Sequence, residues 1–148
     1  AVAATALTLA GGPAGATNIG EEGCTPGCYK NHTDNWLEDT GVRSYETDDF
    51  FGGVFGVEYG NVTLLEALQG GGGRGIAGAH KILARAATAA ILNAAHEGLG
   101  YPLRRNKATA AGPAIFDAVR DVWDEDRDAI LALASRLDRF NRRGCPLN

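Results

Sequence analysis

The stretch "GIAGAHKILARAATAAILNAAHEG", Gly75 to Gly98, limits what this chain can fold into more than any other part of it. Alanine is the strongest helix former because it loses no side-chain entropy, so a run this rich in alanine and leucine reads as one long helix. Glycines bracket the run, and the helix is expected to end near Gly98. Small side chains along its faces let neighbouring backbones come close, which makes it a packing element in need of partners.

The flanking sequence supplies those partners as further helices. Thr63-Leu64-Leu65-Glu66 is a capping-box pattern that opens a short helix through Gln69, and Gly70 to Gly73 then break the chain. Gly112 and Pro113 suit an N-cap and first turn, and Ile115, Phe116, Val119, Val122 and Trp123 recur behind them at helical spacing. A last helix carries Ile130, Leu133, Ala134, Leu137 and Phe140 on one face and is expected to stop at Gly144 as its C-terminal cap. Between Asn35 and Gly60 the chain is aromatic and acidic, and "DDFFGGVFGVEYG" reads as loop or very short elements. The expected fold class is mainly α: a compact helical domain with glycine-rich loops over residues 21–148, preceded by an N-terminal extended apolar arm over residues 1–20.

That arm, "AVAATALTLAGGPAGATN", alternates Thr5, Leu7 and Leu9 with Ala6, Thr8 and Ala10, the period of an extended strand, although its alanines leave a helix as the alternative. Ala14-Gly15-Ala16 is a small-x-small pattern of the kind a signal peptidase reads, which points to secretion. The segment is nevertheless expected to be retained, with processing upstream of Ala1. No apolar run approaches the roughly 20 residues that span a bilayer, so a transmembrane span is rejected. A lone apolar strand leaves backbone donors and acceptors to satisfy, and it does so best on a partner's sheet edge or groove. Val2, Leu7 and Leu9 are therefore the expected anchors of an assembly arm that makes the protein a homo-oligomer or polymer.

A formal charge of -4 over 148 residues argues against a nucleic-acid partner, because phosphate binding needs Lys and Arg concentrated on one face. Arg104-Arg105 and Arg142-Arg143 are too short to reverse that balance. No cofactor is expected: "GGGGRG", Gly70 to Gly75, lacks the Gly-Lys-Ser/Thr ending of a phosphate loop and reads as a hinge or tight turn between helices. Neither a Gly-x-Ser-x-Gly elbow nor a His-Glu-x-x-His motif occurs. Asp124, Asp126 and Asp128 stand at alternate positions as in the first half of a calcium loop. Ala129 and Ser135 occupy the places where that loop needs its glycine and its closing glutamate, so a solvated helix start is the better reading.

The densest chemistry lies in "GCTPGCYKNHTDNW", Gly23 to Trp36, which holds two of the three cysteines. Cys24, Cys28 and His32 recur every four residues and, with Cys145, would supply a Cys3His zinc set, although Pro26 and Gly27 argue against a regular helix to carry that spacing. Cys28 with His32 or His80 would be the thiol and imidazole of a hydrolase. Asn31 and Asn61 each begin an Asn-x-Thr triplet, the acceptor pattern for N-glycosylation in a secreted chain.

"GCTPGCYKNH" together with the terminal "LDRFNRRGCPLN" resembles a family of small secreted proteins of bacteria and archaea. These carry a Cys-Thr-Pro-Gly-aromatic-Trp-Lys-Asn-His motif and finish with Gly-Cys-Pro-Leu. The likeness extends through "LLEALQGGGG", "AAILNAA" and "YPL", and it departs at Cys28-Tyr29, where the family has two aromatics. The family has no established reaction. The resemblance implies an extracellular helical domain whose two terminal motifs lie side by side, with Lys30, Asn31, His32 and Trp36 at that corner. In a secreted chain so arranged, a Cys24 to Cys145 disulfide would close a loop of over a hundred residues and remove unfolded-state entropy worth about 4 to 5 kcal/mol in the idealised chain model. Cys28 to Cys145 is the rival pairing. Left over, Cys28 would be a buried thiol or an intersubunit cross-link.

The function expected from these readings is that of an extracellular structural or adhesive protein, a self-assembling surface or filament subunit joined through its arm. The alternatives are a secreted hydrolase or metal-binding enzyme using Cys28 and His32, and a monomeric ligand-binding module.

Overall fold

In the computed structural model, which describes residues 22–37 and 45–146, the chain forms six α-helices, one of which is the alanine-rich segment. They are α1 (Pro26–Asn31), α2 (Phe51–Phe55), α3 (Leu64–Gln69), α4 (Gly75–Ala95), α5 (Ile115–Trp123) and α6 (Arg127–Asn141). The chain is mainly helical and contains no sheet among these residues, only isolated backbone bridges.

Helix α4 is the axis of the molecule. Every residue from position 86 to position 95 is buried, so its second half is covered on all sides, as expected of a helix whose faces are all apolar or small. The largest helix contact is between α4 and α6, while α3, α1 and α5 pack around the same axis. Helices α4 and α6 run in the same direction. Arg127 at the start of α6 donates to the Gly75 carbonyl at the start of α4 (2.6 Å), and Asn141 at the end of α6 meets Asn93 near the end of α4. Parallel neighbours need a long connection, which here carries α5.

The aromatic stretch supplies the cap at the first end of α4. Phe51 and Phe55 stack with ring centroids 4.2 Å apart, Tyr59 meets both Phe51 and Trp123 edge-on, and Trp123 tilts against Phe51 at 32°. His80 lies flat on Trp123 at 3.9 Å, and its Nε2 donates to the Trp123 carbonyl at 2.7 Å. A carbonyl can only accept, so that nitrogen carries the proton. Helix α2 is thus one of the very short elements the sequence suggests, and it ends at Gly56 in the left-handed region (φ 74°).

The capping box at Thr63 forms as expected, with both reciprocal bonds present. Other boundaries differ for identifiable reasons. Helix α4 ends at Ala95, short of Gly98, because His96 turns the chain into a 3-10 turn over Glu97–Leu99. Helix α5 starts at Ile115 behind Ala114, since Gly112 pairs with Thr109 and does not cap. Helix α6 stops at Asn141, where Arg142 caps it, because Gly144 is drawn into a bridge with Gly23. Pro26 and Gly27 do not prevent a helix. Proline occupies the first turn of α1, where its missing N–H would go unused anyway, and the Thr25 hydroxyl accepts from the Cys28 amide at 3.3 Å. No helix among the described residues is long and apolar enough to cross a membrane. Val2, Leu7 and Leu9 lie outside the described residues.

Two glycines make opposite predictions about packing. Glycine within a helix ordinarily costs about 1 kcal/mol relative to alanine, and Gly53 in α2 has open space where a Cβ would stand. Gly78 in α4 is different: a Cβ there would collide with the backbone of Gly73, where the glycine loop folds over the helix start. Gly53→Ala should therefore raise stability by up to about 1 kcal/mol, and Gly78→Ala should lower it despite the same gain in propensity. Urea denaturation of the two variants checks the signs.

Candidate functional site

The two ends of the described chain meet over the far end of α4. Gly23 donates its amide to the Gly144 carbonyl at 3.0 Å, and a Cβ on Gly23 would collide with the carbonyl oxygen of Phe140. Only glycine lets the incoming strand lie this close to the last turn of α6. One residue further along each strand, Cys24 and Cys145 form a disulfide with Cα atoms 4.5 Å apart and a sequence separation of 121. The staple is the expected one.

What sets Cys24 in place is a buried amide. The Asn93 side chain, fully buried in α4, accepts at Oδ1 from the Cys24 amide (2.8 Å) and from the Tyr29 hydroxyl (2.8 Å). Its Nδ2 donates to the Cys24 carbonyl (2.9 Å) and to Asn141 Oδ1 (3.0 Å). The side chain thus grips both backbone groups of one cysteine, as a neighbouring strand would, and all four of its hydrogen-bonding capacities are used. Asn141, also fully buried, accepts from the Tyr101 hydroxyl (2.6 Å) and donates to the Ala86 carbonyl (3.1 Å). A satisfied polar network in a dry core rigidifies its members. Trp36, placed at this corner by the sequence likeness, is buried and donates its indole N–H to the Tyr29 carbonyl at 3.0 Å.

Cys28 projects from α1 beside the disulfide. Its Sγ lies 3.4 Å from Cys145 Sγ, and all three sulfurs sit within 4.8 Å of one another. Among the described residues this is the only gathering of three or more histidine, cysteine or acidic side chains whose ligand atoms converge. His32 is exposed at the C-cap of α1 and stands outside it, so the Cys3His zinc set is not assembled, and two of its sulfurs are bonded to each other. Burial pushes the Cys28 thiol above its ordinary pKa. A hydrolytic cysteine needs the opposite shift, so the surroundings of Cys28 lend no support to a Cys28–His32 pair.

The remaining sequence candidates lie apart from this corner. Asp126 is the N-cap of α6, where its carboxylate accepts from the Ala129 amide at 2.9 Å, while Asp124 caps the end of α5 and Asp128 stands exposed in the first turn of α6. The three do not converge on a common point. Asn31 and Asn61 are both exposed. A cleft of about 410 Å³ opens beside α1, lined by Thr25, Pro26, Gly72, Arg85, Asp138 and Arg142.

Asn93 and Asn141 are the residues sequence reading passed over. Their signal is present nonetheless: a single asparagine inside "AAILNAA" is a poor helix former surrounded by good ones, which asks for a tertiary reason.

Replacing Asn93 by alanine strands the Cys24 amide and carbonyl and leaves the Tyr29 hydroxyl without its acceptor. At about 1 to 3 kcal/mol for each buried group left unsatisfied, Asn93→Ala should lower the unfolding free energy by about 3 kcal/mol or more, read from a denaturant titration. The network also dictates alkaline behaviour. Burial is the first cause that holds the Tyr29 and Tyr101 phenols far above their ordinary pKa. Below about pH 10 both states keep these phenols protonated, and above it only the unfolded chain ionises. Stability should therefore fall as pH rises past about 10, by up to about 1.4 kcal/mol per pH unit for each tyrosine. The phenolate absorbance of Tyr29 and Tyr101 should appear together with the loss of circular dichroism; ionisation of all four tyrosines in a still-folded chain would contradict it. Comparison with family models, curated proteins and solved structures gives no match, so what the protein does is read from the corner itself.

Proposed function

We propose that this protein is an extracellular structural or adhesive subunit that self-assembles through its N-terminal segment, with the stapled corner as the fixed point of that arm. One observation carries the reading: the chain enters and leaves the domain at a single place, with Gly23 paired to Gly144 and a disulfide one residue beyond. A load applied to residues 1–21 enters the domain at Cys24. From there the disulfide passes it to the end of α6, and Asn93 passes it to α4, the two largest helices. A disulfide in that position survives in the oxidising surroundings of secreted proteins, which supports an extracellular site of action.

The cleft beside α1 favours a second reading, a monomeric ligand-binding module. Arg85 and Arg142 line it together with Asp138, so its chemistry suits a small zwitterion or anion.

Deleting residues 1–12 separates the two. Burying large aliphatic side chains in a neighbour stabilises by about 1.5 to 3 kcal/mol each, so the full chain should associate and the truncated chain should remain a folded monomer. Light scattering beside a thermal melt reads this. A truncated chain of lowered melting temperature and unchanged size would place the segment on its own domain and refute the assembly reading.

A further inference from the structure

We propose that the corner is a thiol–disulfide exchange site, in which Cys28 and Cys24 compete for Cys145 and the staple interconverts between Cys24–Cys145 and Cys28–Cys145 isomers. This inference concerns bonding within the domain and goes beyond any role of the N-terminal segment.

The geometry supplies the nucleophile, the electrophile and the leaving group. Cys28 Sγ lies 3.4 Å from Cys145 Sγ, within reacting distance, and with all three sulfurs inside 4.8 Å the approach is bent, so a rotation of the Cys145 or Cys28 side chain brings the thiolate in line with the Cys145–Cys24 bond. Cys145 is half-buried and Cys24 is fully buried, so Cys145 is the sulfur that Cys28 and solvent can both approach. In the step, Cys28 gives its proton to solvent and its thiolate attacks Cys145 Sγ. The Cys145–Cys24 bond breaks with its electron pair on Cys24, which takes up a proton. One disulfide and one thiol stand on each side, so no oxidant or reductant is consumed.

Two features set the rate and the balance. Burial raises the pKa of Cys28, so the attacking thiolate is scarce at neutral pH, while a thiolate of higher pKa is intrinsically the stronger nucleophile. Exchange is therefore slow near neutrality and quickens with alkalinity. Asn93 grips Cys24 through both backbone groups, which keeps that residue beside Cys145 whether or not the bond is made. The Cys28–Cys145 isomer shifts covalent closure four residues along the chain and leaves Gly23 and Cys24 held by hydrogen bonds alone. The staple thus has a second setting in which the strand leading to residues 1–21 is released from the ring.

The test uses the full chain. Reduced protein is reoxidised with oxidised glutathione and stopped with acid, the disulfide isomers are separated in acid, and each is returned to oxidant-free buffer. Peptide mapping, with maleimide on the remaining thiol, should find both isomers converting toward one mixture, about tenfold faster at about pH 8.5 than at about pH 7.5. The Cys24→Ser chain, folded by circular dichroism, should close a Cys28–Cys145 disulfide under the same oxidation. Recovery of Cys24–Cys145 alone at every pH and time would overturn the proposal, as would a folded Cys24→Ser chain that keeps both thiols. If that variant fails to fold, the wild-type isomers decide alone.

Discussion

Asn93 is the residue on which the corner depends. A disulfide forms only where two cysteines are already brought within a few ångströms, and a strand end entering a helical core has no sheet to hold it there. The carboxamide in α4 solves this by presenting an acceptor and a donor to the two backbone groups of Cys24, which fixes the cysteine opposite the end of α6. The same side chain also bonds Tyr29 of α1 and Asn141 of α6, so four separate segments of chain meet on one amide. Removing the disulfide alone would leave that junction standing; removing the amide takes the template from the disulfide.

The two ends of α4 are closed by different physics. At its first end the aromatic rings and the His80–Trp123 stack exclude water, and the tight passage of Gly73 over Gly78 lets the glycine loop lie on the helix. At its far end closure is polar, buried and directional, through Asn93, Asn141, Tyr29 and Tyr101. The alanines between allow α6 to run along the axis at close range. Apolar closure tolerates adjustment, whereas a carboxamide network accepts one register, which places specificity of the fold at the corner where the chain ends meet.

Much of this was legible in the residues. The alanine-rich axis, the capping box at Thr63 and the apolar stripes of α5 and α6 follow from propensity and period, which are local properties. The boundaries that shifted did so because distant segments intervened: Gly144 pairs with Gly23, and Gly112 pairs with Thr109. Proline and glycine before Cys28 argue against a helix when read as breakers, yet proline in a first turn with a threonine cap starts one. The Cys24–Cys145 pair came from the likeness of its two flanking motifs to a known pattern, since no spacing rule distinguishes it from Cys28–Cys145. The carboxamide that seats it could not be inferred from local sequence, because its partners lie 48 and more residues away.

The staple has a consequence for the protein as a covalent object. Cys24 and Cys145 make nearly all of the described domain a ring, so one cut anywhere between them opens the ring without dividing the molecule. The exposed glycines at positions 71–73 are the kind of site where a protease first nicks a chain. After such a cut α3 and α4 would carry new ends, but both pieces would remain one molecule with the α4–α6 contact intact. Where proteases are abundant, damage of that kind is registered as a local break and not as loss of a domain.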